Sequence, residues 1–229
     1  MRTQRYRQLG LLLTALVGAS QAAATSLTVN VGDAAGALSD AVVSLEPARP
    51  AAAPAAGAKP AVMDQVNSQF VPAVLPVRTG TLVKFPNSDQ IRHQVYSFSP
   101  AKRFELPLFQ GSTAAPVRFD KPGVATVGCN IHDWMLGYIV VLDTPYFAKT
   151  GADGRVQLEA PAGDYTLHVW HPRLNGPATS EALVLGRDAV QRRVRVQTTG
   201  PAPTTAPPDE RIRALQDKFR NAGQKKPTP

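Results

Sequence analysis

Cysteine is nearly missing from this sequence: Cys129 is the single one in 229 residues. No internal disulfide can form, so the fold rests on its own apolar core and on whatever Cys129 binds. Aromatic residues are few, 7% of the chain, and no dense basic stripe with interleaved aromatics occurs. That pattern argues against nucleic acid as a partner. Long apolar runs are also scarce. Residues 9–17 form one, too short to span a bilayer, and residues 136–142 are a strand-length run. No nucleophile triad, phosphate-cradling glycine loop or paired-carboxylate motif is present, so an enzyme is not expected.

Turn formers, by contrast, are plentiful, with 21 prolines and 17 glycines between short apolar runs. This composition predicts an all-β protein with many turns. The N-terminus reads as a secretory signal over residues 1–24. Arg2, Arg5 and Arg7 make a basic start, residues 9–17 an apolar centre, and Ser20-Gln21-Ala22 a small-residue cleavage region. The alternative is a retained N-terminal anchor. Export places the protein in the periplasm or outside the cell. Loss of the three arginines lowers the formal charge from +8 to +5, a mildly cationic surface. A lone thiol in an oxidising compartment is a liability unless something occupies it. It reads either as a metal ligand or as a buried, inert cysteine.

Composition divides the rest of the chain. Residues 25–47 hold two strand patterns around a turn. Residues 48–61 are nearly all alanine and proline, a linker. Residues 62–143 and 144–198 are again β-like, with breaks such as Thr79-Gly80, Pro122-Gly123 and Ala162-Gly163-Asp164. Residues 199–229 read as a second linker and a C-terminal helix over about 209–222, with Ile212, Leu215 and Phe219 on one face, or else as a surface tail.

The chemistry concentrates in Cys129-Asn130-Ile131-His132-Asp133-Trp134-Met135, with His93 lying 36 residues before the cysteine. Two imidazoles and a thiolate in one plane, with a weak axial thioether, make the blue-copper arrangement. Soft ligands favour copper, whereas zinc takes four strong ligands and methionine is a poor fourth. The ligands here would be His93, Cys129, His132 and Met135, and the cofactor one type 1 copper ion. A strand pattern leads into Cys129 and another follows Met135, which places three of the four on a tight loop.

Residues of about 62–143 resemble a cupredoxin, the plastocyanin and amicyanin family. The resemblance rests on Phe85-Pro86-Asn87-Ser88-Asp89 followed by His93-Gln94-Val95, on Phe119-Asp120-Lys121-Pro122-Gly123, on the ligand loop at its short amicyanin-like spacing, and on Gly137 with Ile139-Val140-Val141. It implies a Greek-key β-sandwich of about eight strands and one-electron transfer. The family often has an asparagine after the first histidine that braces the ligand loops, and here that position is Gln94. The tuning of the metal by its surroundings is therefore open. In cupredoxins the loop histidine reaches an apolar surface where redox partners dock. Ile131, Trp134 and Leu136 either form such a patch or, for Trp134, pack over the site.

The flanking β segments, 25–47 and 144–198, together resemble a transthyretin-like or carboxypeptidase regulatory-like sandwich, an Ig-like accessory domain into which the cupredoxin is inserted. The alternative is two strands added to the cupredoxin edge and a separate C-terminal sandwich. His168 and His171 either bind a second metal or belong to an ordinary strand ending at Pro172. Proteins of this layout are labelled methylamine utilisation protein-like, which by itself says little of a pathway. Three functions follow: one-electron transfer between redox partners, copper binding and delivery, or a metal-free structural module.

Overall fold

The computed structural model describes residues 24–49, 59–111 and 115–200. Nearly all of the stretch expected to be a signal peptide, most of the Ala/Pro linker and the expected C-terminal helix lie outside the described residues. Strands β1 (Ala24–Asp33), β2 (Gly36–Ala37) and β3 (Val42–Pro47) come first. Next are β4 (Ala61–Val62), β5 (Asp64–Gln65), β6 (Phe70–Val71), β7 (Val74–Arg78), β8 (Thr81–Lys84), β9 (His93–Ser99), β10 (Lys102–Phe109), β11 (Val117–Phe119), β12 (Gly123–Gly128) and β13 (Leu136–Leu142). The last are β14 (Tyr146–Lys149), β15 (Arg155–Pro161), β16 (Gly163–Trp170), β17 (Thr179–Leu185) and β18 (Val190–Arg195). The described residues are all-β, and none of their helices is long and apolar enough to cross a membrane.

Two sandwiches result, one inserted in the other. In the inner one, a sheet ordered β10-β9-β12-β13-β7 faces a smaller sheet ordered β11-β8-β4. β9 and β10 are a hairpin. β12, arriving after β11 in the opposite sheet, lies beside β9 rather than β10, as in a Greek key. Phe70, Phe85, Val95, Phe119, Val127 and Ile139 fill the space between the sheets, all nearly inaccessible to water. Full burial of each such side chain stabilises the fold by roughly 1.5–3 kcal/mol.

The outer sandwich draws on both ends of the described chain. β1 runs between β15, antiparallel to it, and β18, parallel to it. β3 lies between β14 and β16. Each of its two sheets therefore has an N-terminal strand flanked by strands from residues 144–198. The insertion reading is the one the topology displays, not the added edge strands. Leu27, Val29 and Val31 alternate inward from β1 to meet Leu158, Leu167 and Leu183. The chain re-enters this sandwich at Thr144, whose hydroxyl donates to the Leu45 carbonyl.

Two strands break the alternation expected of half-buried β structure. Val42–Leu45 of β3 and residues 139–141 of β13 are buried in succession. Both faces of these strands are covered, because the sandwiches pack against each other through Val42, Val74 and Val140, with the Tyr138 and Trp170 rings 5.6 Å apart. β10 was not among the strands expected from the sequence. It is an edge strand of alternating exposure, carries Pro107, and has a register shift between Leu106 and Phe109. An edge tolerates such a proline.

Candidate metal centre

β12 ends at Gly128, directly before Cys129, and β13 begins at Leu136, directly after Met135. Gly128 and Leu136 are register partners, so the seven residues between them form a closed loop at the end of the sheet. The Met135 amide donates to the His132 carbonyl at 2.9 Å, tightening its second half. β12 also pairs with β9 through Gly128 and Tyr96, and this carries the start of β9, His93, to the same end.

Three of the expected residues meet there. His93 Nδ1 lies 3.1 Å from His132 Nδ1, and Cys129 Sγ lies 4.0 Å and 3.9 Å from those two nitrogens. His93 and Cys129 are buried and His132 is half-buried. Met135, also buried, belongs to the apolar cluster that holds Cys129. A circle through the three donor atoms has a radius of about 2.1 Å, the length of metal–imidazole and metal–thiolate bonds. One ion in their plane would thus reach all three donors without movement of the chain. Two imidazoles and a soft thiolate suit copper, and the residues fit the ion.

Asp89 completes the surroundings of His93, and the sequence reading gave it no role. Its Oδ2 lies 2.8 Å from His93 Nε2. With the Nε2 proton donated to the carboxylate, His93 Nδ1 keeps its lone pair for a metal. Asp89 is held in turn by the backbone amides of Asn67 and Ser68 at 2.6 Å and 2.8 Å, and its own amide donates to Asn87 Oδ1 at 3.0 Å. Burial pushes the Asp89 carboxyl up, but the Ser68 amide, His93 and the Asn67 amide outweigh it, and the group sits below the ordinary carboxylate range. Burial first, then charge on His93, lowers the pKa of His132 against the opposing pull of Asp89. The net shift favours the neutral ring, the form that ligates. In the sequence Asp89 stands at the end of the Phe85–Asp89 stretch and four residues before a histidine, and neither setting singles it out.

Other site expectations divide. The Gln94 amide donates to the Glu105 carboxylate at 2.7 Å on the exposed face of the sheet, away from the ligand loop. Ile131 is 52% exposed, whereas Trp134 is half-buried, with its ring 5.0 Å from that of His132 and its Nε1–H donating to the Ser68 carbonyl at 3.2 Å. Trp134 thus packs beside the histidine. His168 and His171 do not converge on a metal. His168 faces Ser180 and Glu46, and buried His171 accepts from the Arg173 amide. Among the described residues, the metal-capable group is His93, Cys129 and His132.

No protein-family model and no curated protein matches this sequence. Solved structures resemble parts of it. A copper-containing nitrite reductase from Thermus scotoductus SA-01 is 28% identical over 41% of this chain, with a TM-score of 0.35, and the match spans 25% of that enzyme's chain. A purple cupredoxin from Nitrosopumilus maritimus is 23% identical over 36% of this chain and 99% of its own, at a TM-score of 0.33. A reduced amicyanin mutant is 21% identical over 44% and 98%, at 0.34.

Proposed function

We propose that this chain is an exported type 1 copper protein that carries single electrons between redox partners, in the periplasm or outside the cell, and is not itself an enzyme. The observation that carries this reading is the convergence of His93 Nδ1, His132 Nδ1 and Cys129 Sγ within 4.0 Å of one another at a buried sheet end. Copper held there would supply a one-electron couple and a covalent bond to sulfur.

The chain's own residues do the rest. Cys129, His93 and His132 form a triangle that would hold a copper ion with little rearrangement between its oxidation states. Met135, directly before β13, would offer the ion a weak thioether. Surrounding apolar residues, among them Phe85 and Val95, keep water from the thiolate. His132 is the half-buried ligand, and it lies next to exposed Ile131. A redox partner would dock at this edge, near Ile131, Trp134 and Leu136.

The test is Cu(II) added to the purified mature protein, with visible and electron paramagnetic resonance spectra recorded alongside Cys129→Ser. The expected result is one copper per chain, an intense charge-transfer band and narrow hyperfine splitting, all lost in the variant. A weak, ordinary Cu(II) spectrum would replace electron transfer with copper binding and delivery. No stoichiometric uptake would leave a metal-free structural module.

A further inference from the structure

We propose that Asp89, seated in the turn formed by residues 66–69, is the positioning residue of the metal centre, aligning both histidine ligands and stabilising the oxidised ion. This rests on the copper reading above. The position whose side chain braces the ligand loops in related proteins is Gln94, and it points away toward Glu105. Some other group must hold the two imidazoles in register, and one connected set of contacts does so.

The set begins with a tight turn. Val66 and Gln69 exchange backbone hydrogen bonds at 3.0 Å and 3.1 Å, and the two residues between them, Asn67 and Ser68, both have positive φ, 53° and 55°. Two left-handed residues in a two-residue hairpin loop make a type I′ turn, which glycine and asparagine usually fill. Serine at the second position is a costly choice for a mere connector. Its effect is to point two successive amides the same way, making a concave anion site. The Asp89 carboxylate occupies that site, accepting from Asn67 through Oδ1 and from Ser68 through Oδ2. Asn87 anchors the backbone of Asp89 from behind. It is buried, accepts the Asp89 amide, and donates through Nδ2 to the carbonyls of Ile91 and Phe109.

From Ser68 the contacts run both ways. Through its amide it fixes Asp89, and Asp89 fixes the Nε2 side of His93. Through its carbonyl it fixes the Trp134 indole, and Trp134 packs on the ring of His132. The two imidazoles, one from the start of β9 and one from the loop after β12, are thus referred to one peptide. The carboxylate has a second consequence. A negative charge on the far nitrogen of a buried ligand favours the more highly charged metal ion, so Asp89 holds Cu(II) more than Cu(I) and lowers the reduction potential.

The experiment compares wild type, D89N, D89A and, as a control on the exposed face, Q94A. Imidazole ¹⁵N spectra of the metal-free proteins report the tautomer of His93. Voltammetry and competition with chelators then report the potential and the affinity for each oxidation state. Wild type is expected to hold His93 as a single tautomer protonated at Nε2, and D89A to show a mixture with 10–100-fold weaker Cu(II) binding. D89N is close in size to the native side chain and keeps one oxygen, enough to accept from one of the two turn amides. It loses the charge and raises the potential by about 59 mV for each tenfold loss of Cu(II) over Cu(I) binding. Q94A is expected to match wild type in both readouts. An unchanged His93 tautomer in D89A would overturn the proposal. So would equal weakening of both oxidation states in D89N with no change in potential, the mark of a purely structural role. Absence of a type 1 spectrum in wild type refutes the electron-transfer reading instead, and the metal-free tautomer comparison still decides the role of Asp89.

Discussion

Gly137 offers the sharpest test of the packing under the ligand loop. It lies in β13, two residues after Met135, and its register partner is Val127 of β12, two residues before Cys129. A Cβ built on Gly137 would lie 3.0 Å from Val127 Cγ2, 3.1 Å from Phe70 Cβ and 3.3 Å from Met63 Sδ. All three neighbours are fully buried, so none can swing into solvent. Only the Met63 sulfur is at the end of a flexible side chain, and it is the farthest of the three. Gly137→Ala therefore overpacks the core, at a cost of about 1–3 kcal/mol. At about 2 kcal/mol per molar urea, the unfolding midpoint falls by about 0.5–1.5 M. Near-UV circular dichroism of the metal-free protein follows the transition. Val127→Ala removes the nearest methyl group. The double variant should lose less stability than the sum of the singles, a coupling of about 0.5–3 kcal/mol. Gly186→Ala is the control, since no atom lies within 4 Å of its would-be Cβ. A Gly137→Ala protein within about 0.5 kcal/mol of wild type, like that control, would refute the reasoning.

Two further predictions concern the outer sandwich. Burial, followed by the Arg173 charge, lowers the pKa of His171 from 6.5, against Asp40, Asp33 and a hydrogen bond at Ser39. Above pH 6.5 the ring is neutral in folded and unfolded chains alike. Below it the unfolded chain takes the proton first, so stability falls with pH by at most about 1.4 kcal/mol per unit from this group. His171→Gln should flatten that slope between pH 6.5 and the lower folded value, as read by urea midpoints across the range, and an unchanged slope would count against it. Leu27 is fully buried at the centre of its sheet, and its register partners on both sides, Leu158 and Val190, lie more than a hundred residues away in sequence. Leu27→Ala should cost about 2–5 kcal/mol, with hydrogen-exchange protection falling in β15, β16 and β18 as well as in β1. Loss confined to β1 would mean that residues 144–198 hold together without it.

The sequence by itself determined the elements whose signals are local. Alternating apolar residues marked β1, β15 and β16, because a strand half-covered by a core carries that period in its residues. The loop from Cys129 to Met135 was equally legible, since three donor types at short spacing between two strands leave few other uses for a lone thiol. Tertiary structure decided what depends on residues far apart. That His93 arrives beside Cys129 follows from β9 pairing with β12. That residues 25–47 and 144–198 share two sheets follows from β1 and β3 taking central places among strands more than a hundred positions later. β10 escaped notice because its inward face is short, Phe104 and Leu106, before Pro107 and a register shift interrupt the alternation. Asp89 and the Asn67–Ser68 corner escaped for a different reason. A carboxylate earns its place there through hydrogen bonds to backbone amides on a separate turn, and backbone amides leave no mark in the sequence.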